Sequence, residues 1–320
     1  MKKSVALIVK LTITVGLLYF AIGRANFAFV AQRMQQLNVA WFAAAVAVAC
    51  IQTVFSALRW RAILEQCGAA VSIYRALYYT LASLFFSQVL PSTIGGDAAR
   101  IWLVARDGAG LSKAIYSVLI DRISGVMILA AAVLLGIPAS FSLIDDRVAR
   151  GALLALGVLG VAGPIGLVAL GRQKWTVLDR FPLLRQFNAA AHQAYEIFTS
   201  ARAASLIMLL SFVIQALTIV VAWLAAKSAA PSFTLVDSIL LTPPVLLIAT
   251  IPISIAGWGV RESAMVLAFS YAGLPQSDGL LVSALFGLAN FAVGIFGGLI
   301  WLIAGRRETA FAIEKPSAPP

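Results

Sequence analysis

The chain is 320 residues long, 61% hydrophobic and 12% charged, with a mean hydropathy of +0.95. Soluble domains carry roughly a quarter charged residues, so a water-soluble globular fold is excluded and an all-α polytopic membrane protein is expected. The formal net charge of +11 sits in short connections, the longest being 172–203, which is shorter than an independent soluble domain of ~50 residues or more.

Hydrophobic runs fall at 4–22, 40–58, 77–90, 115–137, 151–171, 204–226, 237–256 and 280–304, most of them reaching the ~20 residues that cross a bilayer. The first follows Met1, Lys2 and Lys3 and is longer than the ~7–15 residue core of a signal peptide, so it reads as an uncleaved span. The second ends in Arg59-Trp60-Arg61, where Arg59 and Arg61 flank a Trp as interfacial anchors commonly do. The third run breaks at Pro91. The fourth carries Asp121 and Arg122 inside an apolar span. Residues 172–203 mix Trp175, Phe181 and Phe187 with Arg172, Lys174, Arg180 and Arg185, an interfacial pattern drawn to anionic lipid on the cytoplasmic side. In the last span Gly294 and Gly298 permit close packing within the bundle. The domain is expected to occupy 1–308, with halves near 40–150 and 204–305 and a disordered tail at 309–320.

Two stretches read as copies of one unit. Residues 91–101 (PSTIGGDAARI) and 252–262 (PISIAGWGVRE) align Pro91 with Pro252, Ile94 with Ile255, Gly96 with Gly257 and Arg100 with Arg261. The offset is 161 residues in 320, which puts them in corresponding halves. Broken hydrophobic segments in matching halves point to a transporter's binding site.

The charge distribution selects a topology. If the third and seventh runs are re-entrant hairpins and the other six cross fully, 16 Lys and Arg lie inside and 5 outside, following the positive-inside rule. Three full spans then separate the hairpins, so the second copy is inverted relative to the first. Both termini are cytoplasmic. The competing topology, with eight full spans, puts the Arg100–Lys113 cluster and 172–203 outside.

Arginine within a membrane segment faces a bundle interior or an aqueous cavity, and its guanidinium holds phosphate through a two-pronged fork. Arg100 and Arg261 are therefore the leading candidates for gripping a lipid headgroup. Asp97, three residues before Arg100, shares a helical face with it. Asp121 is expected to pair with Arg100 or Arg261 rather than with its neighbour Arg122. Asp97, Asp121 and Glu262 have three open readings: balancing the arginines, binding a cationic group, or carrying a coupling proton. Gly95 and Gly96 in the first copy, and Gly257, Trp258 and Gly259 in the second, free backbone donors that must find protein, water or ligand; a helix starting there turns its positive end toward an anion. Gln88 precedes the first break. Cys50 and Cys67 are not spaced as a disulfide framework. The lone His192 has no metal-ligand neighbours, so no metal, cofactor or nucleic-acid partner is expected.

Ser-Ala-Leu-Arg-Trp-Arg (56–61), Phe-Phe-Ser-Gln-Val-Leu-Pro-Ser-Thr-Ile-Gly-Gly-Asp-Ala-Ala-Arg (85–100), Ser-Val-Leu-Ile-Asp-Arg-Ile-Ser-Gly (117–125) and Ile-Ala-Gly-Trp-Gly-Val-Arg-Glu (255–262) together resemble the lysylphosphatidylglycerol synthase transmembrane region, or flippase-like domain, over about 5–305. This is the membrane half of the multiple peptide resistance factor. The resemblance implies a lipid translocase of the bacterial-type inner membrane, with an anionic, aminoacylated or polyprenyl-phosphate lipid as cargo. Members with synthase activity add a large soluble C-terminal domain. This chain ends at Pro320, so the resemblance implies the translocase-like half alone and no enzyme activity. The alternatives are a non-transporting partner of a lipid synthase and a membrane-embedded lipid- or glycolipid-modifying enzyme.

Overall fold

In a computed structural model of the chain, the residues described are 35–89, 95–144, 146–173, 182–230, 232–251 and 258–313. The first hydrophobic run, the tail beyond residue 313, residues 91–94 and 252–257 of the paired motifs, and with them Gly257, lie outside this set. In chain order the helices are α1 (Val39–Gln66), α2 (Ile73–Val89), α3 (Gly95–Val104), α4 (Leu111–Leu143), α5 (Arg147–Leu170), α6 (Pro182–Thr199), α7 (Ala201–Lys227), α8 (Leu235–Ala249), α9 (Val260–Tyr271) and α10 (Gln276–Ile313). A π turn, Ala105–Ala109, joins α3 to α4. Among the described residues no strand is present.

Helices α1, α4, α5, α7 and α10 are long and apolar enough to cross a membrane. They coincide with all the expected full spans except 4–22, and they make the chain a multi-pass membrane protein. Their starts follow local chemistry: the Asn38 side chain accepts from the Ala40 and Trp41 N–H groups, and that of Asp146 from Val148 and Ala149, occupying donors that a first turn leaves open. Within the spans, Thr53, Ser211 and Thr218 return their hydroxyls to carbonyls four residues back, so no polar group of theirs is left facing hydrocarbon.

The remaining helices between the spans are short. With 10 residues in α3 and 12 in α9, they rise only about 15 and 18 Å at 1.5 Å per residue, against a hydrocarbon core of ~30 Å. Helices α2 and α8 precede them and pack against them. The order long–short–short–long thus occurs twice, in α1–α4 and in α7–α10. The packing partners exchange between the two sets: α2 lies on α10 while α8 lies on α4, α1 touches α10 while α7 touches α4, and α1 and α7 pack on each other. Small residues make this possible. A Cβ at Gly297 would run into the Leu81 carbonyl of α2, and one at Gly298 into the Phe85 ring, so the glycines of the last span serve packing within the bundle.

Contacts at the helix ends fix where each short pair begins and finishes. Lys113 Nζ donates to the Gly68 carbonyl at 2.9 Å, and Arg75 Nη1 lies 3.1 Å from Asp107. The start of α2 and the end of α3 are therefore both at the Gln66 end of α1. At its other end, the Asn38 N–H donates to the Ser228 carbonyl at 2.8 Å, and Phe233, just ahead of α8, stacks on Phe269 near the end of α9 at 5.3 Å. The α8–α9 pair begins and returns there. Helix α1, with 28 residues, holds the two ends about 42 Å apart.

The polar segment 172–203 contains a helix, α6. Its Ala190, Ala191, Ala194 and Ile197 are buried, Gln186 accepts from Tyr116, and Gln193 donates to the Gln66 carbonyl. It is seated across the end of the bundle that carries Arg61, Arg75 and Lys113.

Candidate functional site: two buried arginine clusters

The first cluster forms where α3 meets α1 and α4. Arg100 is buried, with Nη2 donating to Asp97 at 2.7 Å and Nη1 to Asp121 at 3.1 Å. Its guanidinium lies 5.0 Å from the centre of the Trp60 ring, a cation–π contact in a dry setting. Asp121 also accepts from Arg59 Nε at 2.9 Å, and Arg59 Nη1 reaches Ser211 of α7 at 3.1 Å. The second oxygen of Asp97 takes Arg122 Nε at 2.9 Å. The sequence therefore builds a chain of charges, Arg59–Asp121–Arg100–Asp97–Arg122, across three helices.

Two properties set this cluster apart from a neutral structural network. Among the described residues three guanidinium groups face two carboxylates, leaving one positive charge in excess. Among the described residues, Arg100 Nε is a buried donor without a hydrogen-bond partner, although buried donors are nearly always satisfied. The excess has an outlet: Arg122, with 53% of its side chain exposed, is the open end of the chain, whereas Arg100 and Asp121 are enclosed. Gly96 allows the close approach of α3 to α2, because a Cβ there would collide with Ser87 and the Ser83 carbonyl. Gly95 is buried beside it at the first position of α3.

The second cluster forms at the start of α9. Gly259 has φ +85, a conformation that costs little only in glycine, and its N–H donates to Glu262 Oε2 at 2.6 Å. The other oxygen of Glu262 accepts from Arg261 Nη2 at 2.6 Å and from Ser283 Oγ of α10 at 3.1 Å. Arg261 lies between the Trp258 ring at 5.0 Å and the Phe286 ring at 5.6 Å. Gly287 gives it room, since a Cβ there would meet the guanidinium. Among the described residues one cation balances one anion here.

The structure brings Asp97, Arg100 and Asp121 together in one place, and Trp258, Gly259, Arg261 and Glu262 in another. Among the described residues no ion pair links the two clusters. Gln88, half-buried on α2, has its stem against Gly294 of α10. Asp121 pairs with Arg100 as expected, and Arg122 with Asp97.

Arg59 differs from the sequence expectation. It is buried in the charge chain rather than anchored at the interface, and Trp60 is fully buried beneath Arg100. The reason is the length of α1, which continues to Gln66 and so carries residue 59 about 10 Å inside the helix end. Arg61, on the outer face, pairs with Glu65 at 2.8 Å and remains partly exposed. Sequence reasoning also passed over Ser211, Ser283 and the role of Trp60. The serines carry no signal in spans where a hydroxyl can bond its own helix. Among the described residues no three His, Cys, Asp or Glu side chains converge as metal ligands would.

A family model described as the lysylphosphatidylglycerol synthase TM region matches residues 7–298, a stretch that includes both clusters. The chain belongs to this family. A UPF0104 membrane protein of Archaeoglobus fulgidus is 29% identical over 76 residues, which is 24% of this chain and 23% of that protein. The match therefore spans under a quarter of the relative's length. No solved structure matches the chain. Membership in the family makes this a membrane domain, in keeping with its apolar helices and buried charges.

Proposed function

We propose that the protein is a lipid translocase that grips an anionic lipid headgroup, successively, with two arginine clusters reached from opposite membrane faces. The observation that carries the reading is the pair of buried arginines, Arg100 and Arg261, each in the first two turns of a short helix that follows a motif break. The exchange of packing partners between α1–α4 and α7–α10, and the anchoring of the two short pairs at opposite ends of α1, support an inverted repeat. Such repeats bind cargo near the midplane at their interface.

In this reading the Arg61, Arg75 and Lys113 end is cytoplasmic, in the inner membrane of a bacterial-type cell, and both termini are cytoplasmic. A phosphate approaching Arg122 meets the surplus positive charge of the first cluster and the unused Arg100 donor. Binding trades carboxylate partners for phosphate oxygens. The balanced second cluster holds the headgroup less strongly and lets it leave. The cargo class is an anionic, aminoacylated or polyprenyl-phosphate lipid; the family description itself names a lipid, lysylphosphatidylglycerol. The domain needs no catalytic group for this, and a lipid synthase is its natural neighbour.

Leaflet-resolved labelling in reconstituted vesicles tests the proposal. Headgroup-tagged phosphatidylglycerol should equilibrate across the bilayer with the wild-type protein and much more slowly with Arg100→Lys combined with Arg261→Lys. Lysine keeps the charge but loses the fork. Unchanged exchange by a folded double variant would remove these residues from the mechanism.

A further inference from the structure

An apolar slot of about 630 Å³ runs between α5, α8 and α9, along the side of α9 that carries Ala264 and Ala268. It falls within the ~300–1,000 Å³ of small-molecule sites. Its floor is Val260, Ala264, Ala268 and Tyr271 of α9, a single helical face, and Ala152 and Leu156 of α5 form one wall. The alanines matter because they leave a channel where larger side chains would close the helices together. Helix α5 has little to pack against here: among the described residues Gly157 is its one buried residue.

The slot has a polar end and an apolar end. Ser140 and Asp146 stand at the turn from α4 to α5, beside Arg147 and Arg150, while Val260 and Ser263 line the far end next to the Arg261 cluster. From Tyr271 to Val260 the floor measures about 16 Å along the helix, which is one leaflet's share of a hydrocarbon core of ~30 Å. A polar rim and a largely apolar trough one leaflet deep match the dimensions of one acyl chain in its native leaflet orientation.

We infer that this slot binds a single acyl chain of a phospholipid from the leaflet at the α4–α5 turn, with the headgroup at the Asp146–Arg150 rim. The assignment deepens the translocase reading and rests on it only for the ligand class. It gives the second cluster a lipid held alongside it, tail first. The rim carries both signs of charge: Asp146 caps α5, and Arg150 donates to the Phe141 and Ile144 carbonyls.

The test uses the full-length protein in vesicles of phosphatidylglycerol carrying a diazirine near the end of one acyl chain. After illumination, adducts are mapped by mass spectrometry. Adducts should concentrate on Val260, Ala264 and Leu156 relative to the lipid-facing Leu159, and excess unlabelled phosphatidylglycerol should compete them away in a saturable manner. Ala268→Trp, which fills the trough, should lower slot labelling about tenfold while leaving Leu159 labelling unchanged. Labelling that follows surface exposure alone, or that does not saturate in the wild type, overturns the inference, and that arm does not depend on the variant folding. Dimerisation that shields α5 and α9 from the probe would assign the slot to a second copy and overturn it as well. The double arginine variant separates the two ideas: slot labelling should persist where lipid exchange is lost.

Discussion

Replacing Asp121 by Asn removes the charge that Arg59 and Arg100 share while keeping the size of the side chain. The contacts are 2.9 and 3.1 Å, and both arginines and the aspartate are buried. At an effective dielectric near 20, each contact is worth about 5 kcal/mol of gross attraction, most of it offsetting the desolvation of the ions. What remains after the substitution is three guanidinium groups facing one carboxylate, so the expected loss is about 3–5 kcal/mol, the range for a buried ion left without its partner. Detergent-solubilised protein titrated with SDS gives the unfolding free energy. Arg75→Ala is the internal control, because the Arg75–Asp107 pair is partly exposed and should contribute less than about 1 kcal/mol. Combining Asp121→Asn with Arg59→Met should recover part of the loss, with a coupling of about 0.5–3 kcal/mol. A single Asp121→Asn within about 0.5 kcal/mol of wild type, the range of an ordinary surface change, would refute the charge chain as a buried, coupled unit.

Gly259→Ala forces an L residue into φ +85 and ψ −50 at the start of α9, so it should destabilise by about 1–3 kcal/mol; the same SDS titration reads it, and a change below about 0.5 kcal/mol would contradict the strained turn. At the α1 terminus, burial pushes the Cys67 thiol up to about 12, with the nearby Lys113 charge opposing the shift. Because the thiolate is the reactive form, alkylation of a Cys50→Ser protein should be slow at neutral and mildly alkaline pH. It should rise only as pH approaches that value. A reactivity midpoint near the ordinary thiol pKa of ~8.5 would place Cys67 in water.

The two motif arginines were legible because they break a simple rule: ionisable groups are rare in membrane segments, so each stands out in an apolar background. The same rule picked out Asp121. It did not assign Arg59, whose place depends on how far α1 extends. Arg59 adjoins a Trp and another Arg, the composition of an interfacial anchor, and only the extra turns of α1 carry it inward to Asp121. Ser283 was invisible for a different reason. Its partner Glu262 is 21 residues away in sequence, and no local pattern connects them.

By itself the sequence determined the membrane class, the five long spans α1, α4, α5, α7 and α10, the family, and the two charged interruptions. Those properties follow from local hydrophobicity and length, which the bilayer reads directly. Only the tertiary structure decided which charges meet. Asp121 lies between Arg59 and Arg100 because α1, α3 and α4 converge there, while Arg261 is left with Glu262 alone as its ionic partner among the described residues. Charge pairing in a low-dielectric interior is decided by distances of a few ångströms across helices far apart in sequence, which no residue count along the chain contains. The apolar slot beside α9 belongs to the same category: every alanine that lines it is ordinary in sequence, and the cavity exists only because α5, α8 and α9 stand around it.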